Sequence, residues 1–278
     1  MSRLWLITGA GRGLGRAFTQ AALGRGDTVV ATVRTDDALA DLASPRLIRR
    51  RLDVADRQAV RAVVASVDVP DVVVNNAGYG LVGAIEELSE AEVRAQLDVN
   101  LLGALWVSQA VLPGMRQRGS GKIVQVSTVG AVGHLPLFGA YNASKWALEG
   151  FSAALADEVQ PFSIGVHLLQ LAGFATDWAG SSMRYATADP AYEEARTAVL
   201  GTPDYPTEPA PPSPDADPQD PWAPGRPAEA AAALLDLLDD PAAPLRKVIG
   251  PGGYDMVRMA LEDRRDDYRK DPAFPWPS

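Results

Sequence analysis

The first fifteen residues constrain the fold most strongly, because they join a short apolar run to a helical pattern through a turn crowded with glycine. The apolar run covers 4–7, and glycine stands at positions 9, 11, 13 and 15. A strand that enters a helix through such a turn lets the backbone approach a pyrophosphate and points helix N-terminal N–H groups at it. The spacing is Gly-x-x-x-Gly-x-Gly, since Leu14 stands where Gly-x-Gly-x-x-Gly would need its last glycine. The pattern predicts a dinucleotide-binding turn, and an ordinary flexible turn is the alternative.

Apolar runs and helical segments alternate along the whole chain, which is typical of a parallel sheet covered by helices on both faces. We expect the α/β class, with a doubly wound parallel (Rossmann) sheet of about seven strands, in a single domain over residues 1–278. Strands are predicted near 3–8, 28–34, 47–52, 71–75, 122–126, 164–170 and 246–250. Helices are predicted near 13–25, 56–66, 90–117, 141–159, 227–239 and 253–268.

Composition narrows the classes of function. The chain has no cysteine and two histidines, so thiol chemistry is excluded and a histidine-based metal site is not indicated. A net charge of -9 argues against binding to nucleic-acid phosphates. No apolar run reaches membrane-spanning length, and the first residues enter a strand without a signal-peptide core. We expect a soluble cytoplasmic protein with no membrane or nucleic-acid partner.

Tyr141 and Lys145 stand four residues apart at the start of a predicted long helix, so their side chains share one face. A phenol titrates near pH ~10, and its use as an acid or base near pH ~7 needs about 4 kcal/mol of stabilisation of its anion. A neighbouring ammonium group supplies part of that stabilisation. The alternative is an aromatic residue and a lysine on an ordinary amphipathic helix, and the pair alone does not decide.

Further landmarks stand between the glycine turn and this pair. They are, in chain order, Asp53-Val54, Asn75-Asn76-Ala77-Gly78, Val99-Asn100 and Ser127-Thr128. With the glycine turn, Tyr141 and Lys145, the series resembles the short-chain dehydrogenase/reductase family. The resemblance covers roughly residues 3–177 well and 226–268 loosely. It implies an oxidoreductase that binds a nicotinamide cofactor and a small-molecule substrate.

The resemblance also implies which residues hold the cofactor. Val33, at the end of the second strand, stands where an NAD-type acid is expected, and Arg34 follows it. An arginine fits a 2′-phosphate, and Arg12 could close on it from the other side, so NADP is expected and NAD is less favoured. The alternative is that both arginines are solvated and Asp36 or Asp37 bends back to a ribose. The full cofactor-binding set is Gly9, Arg12, Gly13, Leu14, Gly15, Arg34, Asp53, Val54, Asn76, Ala77, Gly78, Tyr141, Lys145 and Thr176.

Two of these positions have an equally physical alternative. The Asp53 carboxylate resembles the family's contact to the adenine amine, but an aspartate there could instead cap the next helix. The turn at Asn76, Ala77 and Gly78 follows the carboxyl end of a strand, where ligands sit in open α/β sheets. Bracing the central sheet and lining the cofactor would each explain that turn.

In the family the tyrosine protonates the forming alkoxide, and the lysine lowers the pKa of the phenol while it bonds the nicotinamide ribose. These roles fall here on Tyr141 and Lys145. Thr128 stands at the family's hydroxyl position, thirteen residues before the tyrosine, and would orient the substrate oxygen. Ser127 is the fallback and would have to point from the opposite face of the strand. Asn100 matches the asparagine that holds a water in the proton relay, and a satisfied core asparagine is its alternative.

One segment departs from the family pattern. Leu171-Ala172 replaces the Pro-Gly pair that usually precedes the threonine, here Thr176. Losing the fixed φ of proline and the freedom of glycine is expected to shift backbone beside the nicotinamide. The implied function is reduction of a carbonyl with NADPH, or the reverse oxidation. Two others stay open: a non-redox cyclisation, elimination or isomerisation that uses Tyr141, and a non-catalytic NADP-responsive binding protein.

Residues 178–226 form a break in composition, with a proline-dense run from 203 to 227 after several aromatic residues. The family places its substrate lid here, so we expect an aromatic-walled lid over a fairly large apolar substrate. For 203–220, a disordered insertion is the alternative. His134 would lie on the substrate side or simply be exposed, and His167 is expected to be structural. The family also implies a homodimer or homotetramer through 90–117 and 141–159.

Overall fold

The structure is a computed structural model that describes residues 2–176, 180, 182–207 and 223–275. Its strands are β1 (Leu4–Ile7), β2 (Thr28–Val33), β3 (Leu47–Arg51), β4 (Val72–Asn75), β5 (Gly80–Val82), β6 (Gly121–Thr128), β7 (Ile164–Leu171), β8 (Met183–Tyr185) and β9 (Arg246–Ile249). Its helices are α1 (Gly13–Gly24), α2 (Arg57–Ala65), α3 (Glu90–Leu97), α4 (Gly103–Arg118), α5 (Gly139–Val159), α6 (Glu193–Leu200), α7 (Pro227–Asp239) and α8 (Gly253–Tyr268).

Seven strands form one sheet in the order β3-β2-β1-β4-β6-β7-β9, and every neighbouring pair is parallel. The strand order reverses between β1 and β4, which lie side by side. In sheets of this kind ligands bind in the crevice outside the carboxyl ends of the strands at that reversal. The predicted doubly wound parallel sheet of seven strands is therefore confirmed, and its topology fixes where a site is to be sought.

Both faces of the sheet are covered, which explains why its strands are apolar almost throughout. Ile7 belongs to the core that packs under α1 and α7, together with Phe18 and Leu234. Its neighbour Leu6 points the other way, into the core under α2, α4 and α5. Burying one such aliphatic side chain contributes about 1.5–3 kcal/mol, so the two cores stabilise the sheet whose carboxyl edge forms the crevice.

The helix predicted over 90–117 is divided in the structure. The α3 helix ends at Leu97, one π-helical turn spans Asp98–Leu102, and α4 begins at Gly103. A Cβ on Gly103 would lie 2.6 Å from Cγ2 of Val54, so only glycine lets the start of α4 pack this closely against the segment that follows β3. Apolar periodicity does not reveal one widened turn. Such turns are frequent at functional sites, and this one carries Asn100.

The segment after β7 contains structure that the sequence does not predict. Strand β8 pairs with β5, and α6 follows it. Together with the start of α5 they enclose a third small core around Val82, Leu137 and Tyr205. The predicted lid therefore includes a packed part over 183–205, while Trp178 and most of the proline-dense run lie outside the described residues.

None of the helices in the described parts of the chain combines the length and the apolar character needed to cross a membrane.

Candidate active site

Several predicted site residues lie at one edge of the sheet, because they stand at or just after the carboxyl end of a parallel strand. The glycine turn follows β1, Arg34 follows β2, and Asn76 follows β4. Thr128 is the last residue of β6, and Thr176 comes five residues after β7. The topology alone therefore brings segments far apart in sequence to the crevice between β1 and β4.

The glycine turn needs its glycines for backbone conformation and for space. Gly9 and Gly13 have φ values of 63° and 52°, in the left-handed region that side chains disfavour. A Cβ on Gly15 would lie 2.3 Å from the carbonyl oxygen of Gly9, well inside contact distance. A Cβ on Gly13 would meet Thr176 at 3.4 Å, so this threonine lies directly against the turn. Gly9, Gly13 and Gly15 therefore present backbone without side chains at the N-terminus of α1, and we call this turn the glycine cradle.

Asn76 and Thr8 brace this cradle from the neighbouring strand. The amide Nδ2 of Asn76 donates to the carbonyls of Thr8 and Gly9 at 3.0 and 3.1 Å. The hydroxyl of Thr8 accepts from the backbone N–H groups of Asn76 and Ala77, each at 3.0 Å. The sequence left open whether this turn braces the sheet or lines the cofactor, and the bracing role is present. Thr8 was missed by sequence reasoning, although it directly precedes the first glycine.

The two arginines of the predicted phosphate site lie around the end of β2. Arg34 is exposed just beyond Val33, whose side chain is buried. Arg12 is partly buried and directly precedes α1. The two segments touch through Gly11, where a Cβ would lie 3.6 Å from Cγ1 of Val33. Asp36 and Asp37 are also exposed.

Asp53 and Val54 follow β3 with different environments. The exposed carboxylate of Asp53 accepts from the backbone N–H of Ala55 at 3.0 Å. The alternative that Asp53 caps the next helix is wrong, because Asp56 caps α2 by accepting from two backbone N–H groups. Val54 is buried.

Tyr141 lies in the first turn of α5, which begins at Gly139 rather than at the predicted residue 141. The phenol is 7% exposed, and burial raises its pKa above the ordinary value, while a hydrogen bond with Thr128 acts in the opposite direction. Thr128 Oγ1 accepts from the N–H of Gly130 at 3.1 Å, which leaves its own proton for the phenol oxygen. Ser127 points to the other side of β6, where its hydroxyl donates to Glu149, so the fallback residue is not at the site.

Lys145 is buried one turn further along α5, and its ammonium Nζ donates to the carbonyl of Val126 at 2.7 Å. Burial lowers its pKa to about 8, and the carboxylate of Glu149 opposes that shift. The sequence interpretation has this ammonium lowering the pKa of Tyr141. In the structure burial dominates, and the pKa of the phenol moves the other way.

Asn100 is held by a complete set of hydrogen bonds. Its Oδ1 accepts from the N–H of Tyr79, and its Nδ2 donates to the carbonyl of Tyr79, both at 3.0 Å. Nδ2 also donates to the hydroxyl of Ser144 at 3.2 Å. A Cβ on Gly78 would lie 3.1 Å from Asn100 Oδ1 and 3.7 Å from Lys145 Nζ. Asn100 therefore stands next to the lysine across a glycine, and it is a satisfied core asparagine, which is the alternative named for it; its role in a proton relay stays a prediction.

Behind the lysine lies a buried polar group that sequence reasoning missed. Glu149 accepts from the Ser127 hydroxyl at 2.7 Å and from Gln170 Nε2 at 3.0 Å, and it forms an ion pair with Arg246 at 2.8 Å. The available signal was spacing, because Glu149 stands four residues after Lys145 on the same helix face.

The backbone at Leu171-Ala172, where the sequence departs from Pro-Gly, is bonded to β9; the expected shift beside the nicotinamide stays a prediction. Leu171 is the last residue of β7, and the N–H of Ala172 donates to the carbonyl of Ile249 at 2.9 Å. The methyl group of Ala172 faces two glycines, since a Cβ on Gly250 or Gly253 would lie 3.1 or 3.4 Å from it. The extra carbon is accommodated on the side of β9 and α8.

A cavity of about 660 Å³ opens between α1 and α7 and reaches the glycine turn at Gly13 and Thr176. Another of about 330 Å³ is almost wholly apolar and lies between the 83–85 turn, the 134–139 loop and the outer face of α5 at Trp146. Tyr141 and Thr128 do not line this second cavity, although exposed His134 does. His167 is buried, and its Nδ1 lies 3.0 Å from the carbonyl of Pro244, as expected of a structural histidine.

Known proteins share both the sequence pattern and the fold. Residues 3–185 match the sequence profile of the family described as short chain dehydrogenase. Oxidoreductase BOA17 of Botryotinia fuckeliana is 43% identical over 201 residues, which are 69% of this chain and 73% of that relative. A 3-ketodihydrosphingosine reductase of Bacteroides thetaiotaomicron is 39% identical over 171 residues, or 62% of this chain and 64% of the relative. The crystal structure of a short-chain dehydrogenase from Streptomyces avermitilis superposes with a TM-score of 0.84 at 35% identity, covering 97% of both chains. The protein with its glycine turn, Tyr141 and Lys145 at one sheet edge thus belongs to the short-chain dehydrogenase family.

Proposed function

We propose that the protein reduces a ketone or other carbonyl of a fairly large apolar substrate with NADPH, or catalyses the reverse oxidation. One observation carries the proposal: the buried phenol of Tyr141 shares a hydrogen bond with Thr128 and lies one helical turn from the buried ammonium of Lys145. These groups lie at the same sheet edge as the glycine cradle. This arrangement supports a proton-donating role for Tyr141 beside a predicted dinucleotide groove.

The residues of the cradle fit a dinucleotide. The turn at Gly9, Gly13 and Gly15 presents backbone without side chains at the N-terminus of α1, where N–H groups favour an anion. Asn76 holds the turn in that conformation. Thr176, Ala77 and Gly78 would complete the groove toward Tyr141 and Lys145. When bound, the nicotinamide supplies or accepts the hydride.

Tyr141 supplies the proton in the reducing direction. Because burial raises the pKa of its phenol, the group is protonated at neutral pH, as a donor must be. The carbonyl carbon gains the hydride and its oxygen takes the phenol proton, which yields the alcohol and a phenolate. Thr128, which shares a hydrogen bond with the phenol, would orient the substrate oxygen.

Lys145 and Asn100 serve the return of the proton. A lysine whose pKa is lowered to about 8 is still mostly charged at pH ~7, yet it releases a proton far more easily than an exposed lysine. Its ammonium would bond the nicotinamide ribose and favour the phenolate. Asn100 fixes the backbone of Tyr79 beside it and would hold the relay that connects Lys145 to solvent.

The preference for NADP rests on charge at the end of β2. Buried Val33 cannot offer a carboxylate to a ribose 2′-OH, whereas exposed Arg34 can form charge-assisted hydrogen bonds to a 2′-phosphate. Arg12 would close on the same phosphate across the turn at Gly11. Asp53 and Val54 would face the adenine.

The proposed substrate class is supported by the small core around Val82, Leu137 and Tyr205, which packs the 183–205 segment against β5 and the residues just before α5. Tyr185 and Tyr192 are among the partly buried residues that pack against this core. The Bacteroides relative is named for reduction of a ketone on a molecule of the sphingosine type. A large apolar ketone is consistent with both. A homodimer or homotetramer through 90–117 and 141–159 stays a prediction.

The proposal is tested by NADPH oxidation with a panel of apolar ketones of increasing size. Tyr141→Phe should lower turnover by about 1,000-fold, because the proton donor is lost, while NADPH binding stays within about twofold. Tyr254→Phe is the matched control, since Tyr254 is 63% exposed and should not affect turnover. Turnover of the ketone by Tyr141→Phe at the wild-type rate would contradict the assignment of Tyr141 as the proton donor. Product formation without NADPH consumption would favour the non-redox alternative.

A further inference from the structure

We propose that Glu149 is a positioning residue for the proposed reaction, and that its fixed carboxylate keeps Lys145 charged in the active site. The inference rests on the proposed function for its meaning in catalysis, but its electrostatic content concerns the protein alone. Glu149 stands four residues after Lys145 on α5, and both side chains are buried on the same helix face.

The carboxylate of Glu149 is fixed on three sides by other strands. Ser127 of β6 and Gln170 of β7 donate to its Oε1 at 2.7 and 3.0 Å. Arg246 of β9 donates to its Oε2 at 2.8 Å and forms an ion pair with it. Three adjacent strands thus aim hydrogen-bond donors at one buried carboxylate, which therefore cannot turn away from the helix face it shares with Lys145.

The negative charge of Glu149 favours the charged form of Lys145. Lys145 is 6% exposed, and burial alone favours its neutral form. A negative charge one helical turn away favours the ammonium, and Glu149 is the charged group that acts on Lys145 in this direction. The carboxylate therefore offsets part of the desolvation of the ammonium that the proposed mechanism uses.

Other titratable and polar groups lie next to this pair. On α5 the titratable neighbour of Lys145 is Tyr141, and on β9 the charged neighbour of Glu149 is Arg246. The groups that β6, β7 and the π-helical turn contribute are neutral: Val126 O, Ser127, Thr128, Gln170 and Asn100.

Substitution of Arg246 distinguishes an electrostatic role of Glu149 from a merely structural one. Its side chain is 46% exposed, whereas that of Glu149 is 8% exposed, so the arginine bridges the rim and the buried carboxylate. Removing the guanidinium leaves Glu149 with a less compensated negative charge. Removing the carboxylate has the opposite electrostatic effect on Lys145, although both changes break the same ion pair.

The experiment measures the titration of Lys145 directly. The chain contains four lysines, at 122, 145, 247 and 270, so protein labelled with ¹³C at lysine Cε gives an NMR titration of few signals. Lys145→Arg assigns the signal by removing it. The titration uses the full chain without cofactor or substrate, so it does not depend on the proposed activity.

Glu149→Gln keeps an acceptor for Ser127 and Gln170, and it should lower the titration midpoint of Lys145 by about one pH unit. Arg246→Met should raise the midpoint, by less than one pH unit because the arginine is half exposed. Circular dichroism confirms that each variant is folded, and the Arg246 variant supplies the test if Glu149→Gln does not fold. An unchanged midpoint in Glu149→Gln, or a shift of the same sign in both variants, would overturn the inference.

Kinetics then connect the charge to the reaction. The alkaline limb of kcat/KM for ketone reduction should move with the NMR midpoint, down in Glu149→Gln and up in Arg246→Met. If the midpoints move as stated but Tyr141→Phe retains full turnover, the proposed function fails while the electrostatic link stands. If Tyr141→Phe is inactive and the midpoints do not move, the inference about Glu149 fails alone.

Discussion

Replacing Arg196 with methionine should loosen the 183–205 segment without disturbing the main sheet. Arg196 lies in α6, and its Nη1 forms an ion pair with Glu87 at 2.6 Å. Both side chains are buried, at 3% and 0% exposure. The guanidinium also donates to the carbonyls of Pro203 and Asp189 at 2.6 and 2.9 Å. One residue therefore ties three parts of this segment to the turn that follows β5.

The size of the effect follows from what remains after the substitution. Breaking a buried ion pair by removing one partner costs about 3–5 kcal/mol, because the other charge stays buried. Glu87 would keep donors from the N–H groups of Ala84 and Asp189 and from the hydroxyl of Tyr205. These remaining hydrogen bonds place the cost near the lower limit, at about 3 kcal/mol. Since about 1.4 kcal/mol is a factor of ten, the opened state of the segment should become about 100-fold more populated.

Hydrogen exchange with mass spectrometry measures this directly. Amides in peptides covering 183–205 should exchange about 100-fold faster in Arg196→Met, while amides of β4 and β6 keep their protection. Arg94→Met is the control, because it breaks the exposed pair with Glu90, whose loss costs about 0–1 kcal/mol. The KM for an apolar ketone should rise in Arg196→Met, and NADPH affinity should not change. Unaltered exchange over 183–205, or loss of protection spread evenly over the sheet, would refute this account of the ion pair.

Three further predictions concern the crevice. Gly15→Ala should abolish NADPH binding, because the added Cβ would lie 2.3 Å from a carbonyl oxygen. The control Gly24→Ala, which has open space around the added Cβ, should bind NADPH normally. Fluorescence titration with NADPH distinguishes the two variants. Thr128→Val should lower kcat by about 100-fold through loss of the hydroxyl, and Thr128→Ser should restore most of it; equal rates for the two variants would contradict the role given to Thr128. Because the pKa of Lys145 is lowered to about 8, the ammonium is present below that pH and lost above it, so kcat/KM for reduction should fall as pH rises through about 8; a flat profile to pH ~10 would be incompatible with a charged Lys145.

The architecture could be predicted because its signals are local and repeated. Apolar runs alternating with helical periodicity marked each strand of the main sheet, and the parallel topology then placed the glycine turn, Asn76, Thr128 and Thr176 at one edge. The choice of Thr128 came from the family's spacing to the tyrosine, and strand alternation disfavoured Ser127, since neighbouring side chains on a strand point to opposite faces. The structure places Ser127 on Glu149.

Features that depend on tertiary packing could not be predicted in the same way. The π-helical turn at Asp98–Leu102 leaves the apolar periodicity almost unchanged, so the sequence predicted one helix there. Strands β5 and β8 are three residues long, too short for a pattern of alternation. Burial also reversed the expected direction of the pKa of Tyr141, because the spacing to Lys145 is visible in sequence and the desolvation of the phenol is not.

The surroundings of Ala172 could not be predicted from the sequence either. The sequence suggested that an alanine in place of the family's glycine would displace backbone beside the nicotinamide. In the structure its methyl group lies opposite Gly250 and Gly253, which are far along the chain and meet Ala172 only across the β7–β9 pair. Such contacts between distant positions become visible once the register of the strands is known.

The most direct test of the central claim follows a labelled hydride. The protein is incubated with an apolar ketone and NADPH deuterated at C4 of the nicotinamide on one face, and then in a second reaction on the other face. Mass spectrometry locates the label in the alcohol. The account predicts deuterium on the carbinol carbon with one of the two labelled cofactors, and no labelled alcohol above background with Tyr141→Phe. Alcohol without deuterium from either cofactor, or equal labelling by wild type and Tyr141→Phe, would contradict it.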